Sequence, residues 1–355
     1  MGTGSHNPNV TVTVTIEDLP PAITAFSIAL LLVPLATNSL NGSRVLSFGS
    51  LADAQDARDA SYISAATMLA ATAAFAQPSV PSAFKVGYVD LVGGETYATG
   101  LAACWAADAD FYWVLCSPRT DAEIVLVADY VESIATTRPL RFMFQSDDAG
   151  LLGSFPAGLS GAQGNERTGG IYHSSDAAWN DVAYVVNRAT FDPAIQRVPW
   201  VGSPVAGVAA LSPRPTQAQR DIAGGTNYIN LMLPYGIYPY TMDPGVMITG
   251  RPIEEGCTAD FLQITLQSAV ASMVAGRAIR GQEVAVDAIG QALVVAVVAG
   301  VFQAAETGRH IEPGWTVVAE TISTADRTAR RLRFTVRATL VVSGRLFTFN
   351  VYLSR

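Results

Sequence analysis

The chain has 355 residues, 50% of them apolar and only 15% charged, with a formal net charge of −8. A typical soluble domain is about 25% charged, so an intrinsically disordered chain is excluded and a well-solvated lone monomer is disfavoured. Two classes remain: a membrane protein, or a protein that covers much of its surface with partners.

The first patterned segment is Val10–Ile16, where valine or isoleucine at 10, 12, 14 and 16 alternates with threonine. This strict period of two, in β-branched residues, predicts a strand. Pro20-Pro21 ends it, and no hairpin partner follows. Burying its four aliphatic side chains would return about 6–12 kcal/mol. Fixing its seven residues costs about 7–14 kcal/mol. The strand therefore needs a sheet edge to join, in its own chain or in another copy.

The apolar run from Ala22 to Ala36 is shorter than the ~20 residues of a membrane span and contains Pro34. The first basic residue is Arg44, so the basic n-region of a signal peptide is missing. Ser50, followed by Asp53, Asp56 and Asp59, predicts a helix start. Ser61–Phe75 is alanine-rich and predicts a second helix. An alternation follows: strand Phe84–Leu91, helix Thr96–Ala107, strand Phe111–Cys116, helix from Thr120 to about Thr136, strand Pro139–Gln145. This order predicts a partly parallel sheet between helix layers. The unbroken apolar run Phe111–Cys116 suits a strand buried on both faces.

Gly150–Gly170 holds seven glycines and reads as a loop. Asp181–Val186 reads as a strand, residues 192–216 as a proline-rich irregular segment and Pro213–Gly224 as a short helix. Tyr228–Leu233 reads as a strand and Tyr235–Val246 as a Tyr/Pro/Gly loop. Ala259–Ala275 and Asp287–Phe302 are helices. The stretch Val284–Phe302 is long enough to span a membrane, but Asp287, Gln291, Gly290 and Gly300 fit a buried helix better. At the C-terminus, Phe334, Val336, Ala338, Leu340 and Val342 alternate with polar residues. Ser343-Gly344 supplies a turn, and Phe347, Phe349, Val351 and Leu353 alternate again. This predicts a terminal β-hairpin, which is marginal without further strands or a packing partner. Residues 327–355 carry seven arginines and no acid.

Catalytic motifs are absent. Lys85 is the sole lysine and follows Phe84, so no phosphate-binding GxxxxGK loop exists, and there is no HExxH or GxSxG. His6, His173 and His310 are scattered. The cluster His173, Ser174, Ser175 and Asp176 lies within four residues, whereas triad members normally converge from separate segments, so a polar loop is the better reading. Asp147-Asp148 and Glu254-Glu255 are adjacent carboxylates that usually point apart. Cys104, Cys116 and Cys257 lack metal-ligand spacing and read as reduced thiols of a cytosolic product, with Cys104 and Cys116 as buried small residues. The acidic balance argues against nucleic acid. No catalytic, cofactor-binding or metal-ligating residue is assigned.

From Ile171 onward the order of features resembles phage contractile tail sheath proteins of the shorter type. Ala183–Pro193 (AYVVNRATFDP) is similar to a strand and proline turn of that family, and Val205-Ala-Gly-Val208 to the element after it. Asn227-Tyr228, Gly236 and Gly245–Gly250 resemble its asparagine-tyrosine and glycine loop, and Phe261–Ala275 its long helix. Glu312-Pro-Gly314 precedes a strand, and Thr324–Arg330 (TADRTAR) resembles the turn into the terminal hairpin. The resemblance covers about half the chain.

The resemblance implies a mixed α/β, three-layer sheath core with exchanged N- and C-terminal β-strand arms. It divides the chain into an N-terminal arm (1–20), a first part of the sheath domain (21–80), an α/β core (81–320) and a C-terminal hairpin arm (321–355). It implies a non-enzymatic virion subunit, assembled in the host cytoplasm into hexameric rings stacked helically around a tail tube. Baseplate and tail terminator proteins are further partners, and membrane insertion is not expected. The arm residues expected at subunit contacts are Val10, Val12, Val14 and Ile16, with Phe334, Val336, Leu340, Phe347, Phe349, Val351 and Leu353. Arg330 and Arg333 are expected to meet acidic neighbours. The alternatives are a tail tube protein and an α/β hydrolase-like enzyme built on residues 84–190.

Overall fold

A computed structural model describes residues 11–14, 26–34, 41–135, 137–191, 193, 198–202, 204–235, 238–329, 331–340 and 346–353. The chain divides into two compact units. One comprises residues 1–22, 194–197 and 257–355, the other 23–193 and 198–256. The division at 256/257 falls inside the 81–320 segment of the sequence reading.

The smaller unit opens with β1 (Thr11–Val14). The larger unit then begins with β2 (Ala29–Pro34), β3 (Val45–Phe48), α1 (Leu51–Asp59) and α2 (Ala65–Phe75). Next come β4 (Phe84–Val89), α3 (Tyr97–Ala107), β5 (Trp113–Cys116), α4 (Asp121–Ser133), β6 (Arg141–Ser146) and β7 (Thr168–Tyr172). It continues with α5 (Asn180–Ala189), α6 (Gln217–Gly225), β8 (Ile229–Tyr235) and β9 (Tyr238–Asp243). The starts at Ser50, Thr96 and Thr120 are those the sequence marks, whereas α2 and α6 begin after Ser64 and Thr216, three residues inside the expected Ser61 and Pro213. Ser50, Ser64, Thr96, Thr120 and Thr216 each accept a bond from a first-turn backbone N–H, filling donors that have no partner inside a helix.

Eight strands form one sheet in the order β3-β4-β2-β5-β6-β7-β8-β9. The six inner strands run parallel, and β3 and β9 pair antiparallel at the two edges. Helix pairs α3–α4 and α2–α5 cover the sheet, and α3 and α5 both reach β2. The run from Ala22 to Ala36 contributes β2, an inner strand paired on both sides, with Ala29 to Leu32 fully buried. Cys104 and Cys116 are buried as expected. Burial pushes the Cys104 thiol up to about 11, which keeps it protonated and unreactive.

Three sequence readings in this unit are corrected. Asp181–Val186 is not a strand but part of helix α5. Its polar residues Asn180, Asp181, Asn187 and Arg188 fall on one helical face, opposite Val182, Ala183, Val185, Val186 and Ala189. The strand reading rests on the short stretch Asp181–Val186 alone, and every residue from Asn180 to Asn187 is buried. Gly150–Gly170 is not one loop: two 3-10 turns lead to β7, which includes Gly169 and Gly170. A Cβ on Gly170 would lie 2.6 Å from both Ile229 Cδ1 and Phe144 Cζ. Glycine is there because the neighbouring strands close over it. Tyr235–Val246 is not all loop, since β9 returns antiparallel to β8.

The Asn-Tyr and glycine elements have a structural explanation. Asn230 Nδ2 donates to the carbonyls of Gly170 and Val246, and its Oδ1 accepts from Gly245 and Val246 N–H. Asn227 Nδ2 donates to Leu151 and Gly153 carbonyls. Gly250, at φ +80°, lets Tyr228 lie where a Cβ would sit.

Candidate assembly interface

The smaller unit is built on the C-terminal third of the chain. It contains α7 (Ile253–Ala278) from Cys257 onward and α8 (Ala288–Thr307). It continues with β10 (Thr316–Ala319), α9 (Thr324–Thr328), β11 (Leu332–Thr339) and β12 (Leu346–Leu353). Asp287 caps α8 by accepting from Gly290 N–H. Helix α8 is long and apolar enough to cross a membrane by length and composition. One side of it, Val294, Val298 and Phe302, is fully buried, whereas Ile289 is 71% exposed. It is therefore a helix with one buried side, packed within the protein as its sequence suggests.

Phe334 and Val336 of β11, and Leu340 just past its end, join Leu262, Leu266 and Val270 of α7 and Val294, Val298 and Phe302 of α8 in one core. Arg333, Thr335 and Arg337 alternate with them toward solvent. This is the period-two division read from the sequence. Along one edge, β11 is held by β10, from Thr316 opposite Arg337 to Ala319 opposite Phe334. Two further bonds extend that edge: Glu312 N–H to the Thr339 carbonyl at 2.7 Å, and Glu320 N–H to the Arg333 carbonyl at 3.0 Å. Gln291 of α8 donates to the Glu320 carbonyl at 2.6 Å, and Trp315 Nε1 to Glu306 at 2.7 Å. The β10 side is thus fixed by local chain.

The other edge of β11 takes β12, antiparallel, from Leu332 opposite Leu353 to Thr339 opposite Leu346. This is the terminal hairpin of the sequence reading; its turn lies outside the described residues. β1 then pairs parallel to β12, with Thr11 opposite Thr348, Val12 opposite Phe349, Thr13 opposite Asn350 and Val14 opposite Val351. The four-stranded order is β1-β12-β11-β10. The register lines Val12 up with Phe349 and Val336, and Val14 with Val351 and Phe334. Phe347 and Leu353 take the Ala338 and Leu332 rows. The apolar positions of the N-terminal strand and of both strands of the terminal hairpin thus fall on the same rows. The sheet edge demanded by the N-terminal strand is supplied, in this single chain, by the last strand. Val10, Ile16 and Arg330 lie outside the described residues.

Arg333 meets an acid within its own chain. Asp326 accepts from the Ser323 hydroxyl at 2.5 Å and the Ser323 N–H at 3.1 Å, and pairs with Arg331 at 3.1 Å and Arg333 at 3.0 Å. Ser323, then the two guanidinium groups, hold its carboxyl down to about 2. Sequence reasoning missed this knot, although Ser323 three residues before Asp326 is a capping-box spacing that could have shown it.

In the larger unit, several residues weighed for catalysis take part in turns, caps and ion pairs. His173 Nδ1 lies 3.1 Å from Ser175 N–H, and Asp148 caps Gly150 N–H. Glu255 is buried 3.9 Å from Arg251. Lys85 is paired with Asp108 at 2.7 Å. The sheet order reverses at β2, flanked by β4 and β5, and ligand crevices of open α/β sheets lie at the carboxyl ends of such strands. Just past the carboxyl end of β5, Arg119 is buried and paired with Asp181 at 2.7 Å. Its guanidinium carbon lies 4.3 Å from the centre of the Trp179 ring. Burial raises the Asp181 carboxyl against the pull of Arg119. Among the described residues no cluster of three or more His, Cys, Asp or Glu is arranged to hold a metal ion.

No family model and no curated protein matches the chain. Solved structures do. A chain of the anti-feeding prophage baseplate is 12% identical with a TM-score of 0.67, covering 93% of this chain and 94% of its own. The sheath tail protein of Listeria innocua is 9% identical with a TM-score of 0.62, over 92% and 94%. A chain of the anti-feeding prophage helical sheath in its contracted state is 12% identical with a TM-score of 0.63, over 91% and 93%. Similarity of this extent, over both units, means that the chain has the fold of contractile tail sheath proteins.

Proposed function

We propose that the chain is a contractile tail sheath subunit, a non-catalytic structural protein that polymerises around a tail tube and drives it through the host envelope by contracting. The observation that carries this reading is the end-to-end likeness to sheath chains, over more than nine-tenths of each partner. The low charge content agrees with it, as does a sheet in which two of four strands come from the chain's extreme ends. In the assembled state, β1 and β12 join the sheets of neighbouring copies. Rings of six, stacked helically between a baseplate and a terminator, are thereby tied together. During contraction the larger units move as rigid bodies while the strand tethers keep subunits connected. The finished tail belongs to the virion and is built in the host cytoplasm. Deleting residues 1–20 tests the role of the N-terminal arm. Soluble subunits that no longer build long tubes are expected, and tubes like those of the full chain would contradict it.

A further inference from the structure

We propose that the free subunit is self-capped: its own β1 occupies the β12 edge that the β1 of another copy occupies in the assembly. The inference rests on the sheath reading and adds a control on when assembly starts. The observation is the register. Within one chain, β1 pairs with β12 over four consecutive positions, and it carries the valine rows into line with those of β11. A single subunit therefore already satisfies the strand edge that would otherwise recruit a partner.

The chain length allows both arrangements. Fourteen residues separate Val14 from Ala29, enough to reach up to about 50 Å when extended. The same strand can thus pair at home or on a neighbour with identical backbone bonds, which is the condition for strand swapping. The choice between the two is then set by concentration. A short tether holds its strand near its own edge at an effective concentration of about 1 mM. At about 1 μM free subunit, pairing at home is favoured roughly a thousandfold. Exchange prevails where other contacts between copies act together with the strand, as at the end of a growing polymer. The self-capped subunit thus stays soluble and unpolymerised until a threshold concentration or an existing end is present.

Joining Thr13 to Asn350, which are opposite in the register, tests this. A Thr13→Cys, Asn350→Cys protein is treated at about 1 μM with a cleavable bis-thiol cross-linker. The product is then concentrated and viewed by negative-stain electron microscopy beside the untreated variant. Thr11→Cys with Thr348→Cys repeats the test if the first pair folds poorly. The expected product is a cross-linked monomer that forms at least tenfold fewer tubes than the untreated variant and recovers on cleavage. Cross-linking only between chains, or cross-linked monomers that form tubes as readily as untreated ones, would overturn the self-capping. Failure of the untreated variants and of the unmodified chain to form any tube at any concentration would instead overturn the sheath reading.

Discussion

Asp326 and Arg333 form an ion pair at 3.0 Å across the turn that leads into β11. The pair anchors the strand on which β12 is laid. Asp326 also accepts from Ser323 and Arg331, so one carboxylate ties the end of the β10 connection to the first residues of β11. Its depressed carboxyl sets the pH dependence. The folded value of about 2 lies below the unfolded value near 3.8, so the contribution is complete above pH 4 and is lost as pH falls through about 2. Asp326→Asn should remove this acid-sensitive step from the pH profile of thermal stability and lower the melting temperature at pH 7. An unchanged profile between pH 4 and 2 would contradict the role given to the knot.

Gly170 has no room for a side chain. Its Cβ would lie 2.6 Å from Phe144 Cζ, part of a rigid buried ring. Gly170→Ala should destabilise the larger unit by about 1–3 kcal/mol, the usual cost of overpacking. Gly164→Ala, where a Cβ meets nothing within 4 Å, is the control and should be nearly neutral. Urea denaturation of the two variants separates these outcomes.

The Arg119–Asp181 pair is buried on both sides. Removing one charge leaves the other uncompensated in an apolar setting, which typically costs about 3–5 kcal/mol. Arg119→Met should show that loss in chemical denaturation. Arg119→Met combined with Asp181→Leu should recover much of it, because no lone charge then remains. Equal stability of Arg119→Met and the unmodified chain would contradict the pairing.

Arg337 is exposed on β11, opposite Thr316 and Thr348. It lies in a segment with seven arginines and no acid, on a chain of net charge −8. If this face meets acidic surfaces of other copies, Arg337→Glu should weaken assembly at low salt, and rising salt should weaken assembly of the unmodified chain. Sedimentation of polymer at 50 and 500 mM sodium chloride measures both, and salt-insensitive assembly would contradict it.

Much of the fold is legible because local chemistry and burial agree. The alternation of Phe334 to Leu340 marks a half-buried strand, and the Ser and Thr caps mark helix starts. The unread parts are those where burial comes from distant chain. The polar stripe of α5, Asn180, Asp181 and Asn187, is buried by neighbours and so does not mark a solvent face, and β7 carries glycines because Phe144, Met143 and Ile229 crowd it. The parallel pairing of β1 with β12 joins segments more than three hundred residues apart. The sequence shows only that the first strand needs an edge, not that the last strand provides one.

The central claim is that this chain builds a sheath, and electron microscopy of the purified full-length protein across a concentration series tests it most directly. The account predicts compact monomers at low concentration and hollow tubes or stacked rings above a threshold. Compact monomers alone, up to the limit of solubility and in low salt, would contradict it.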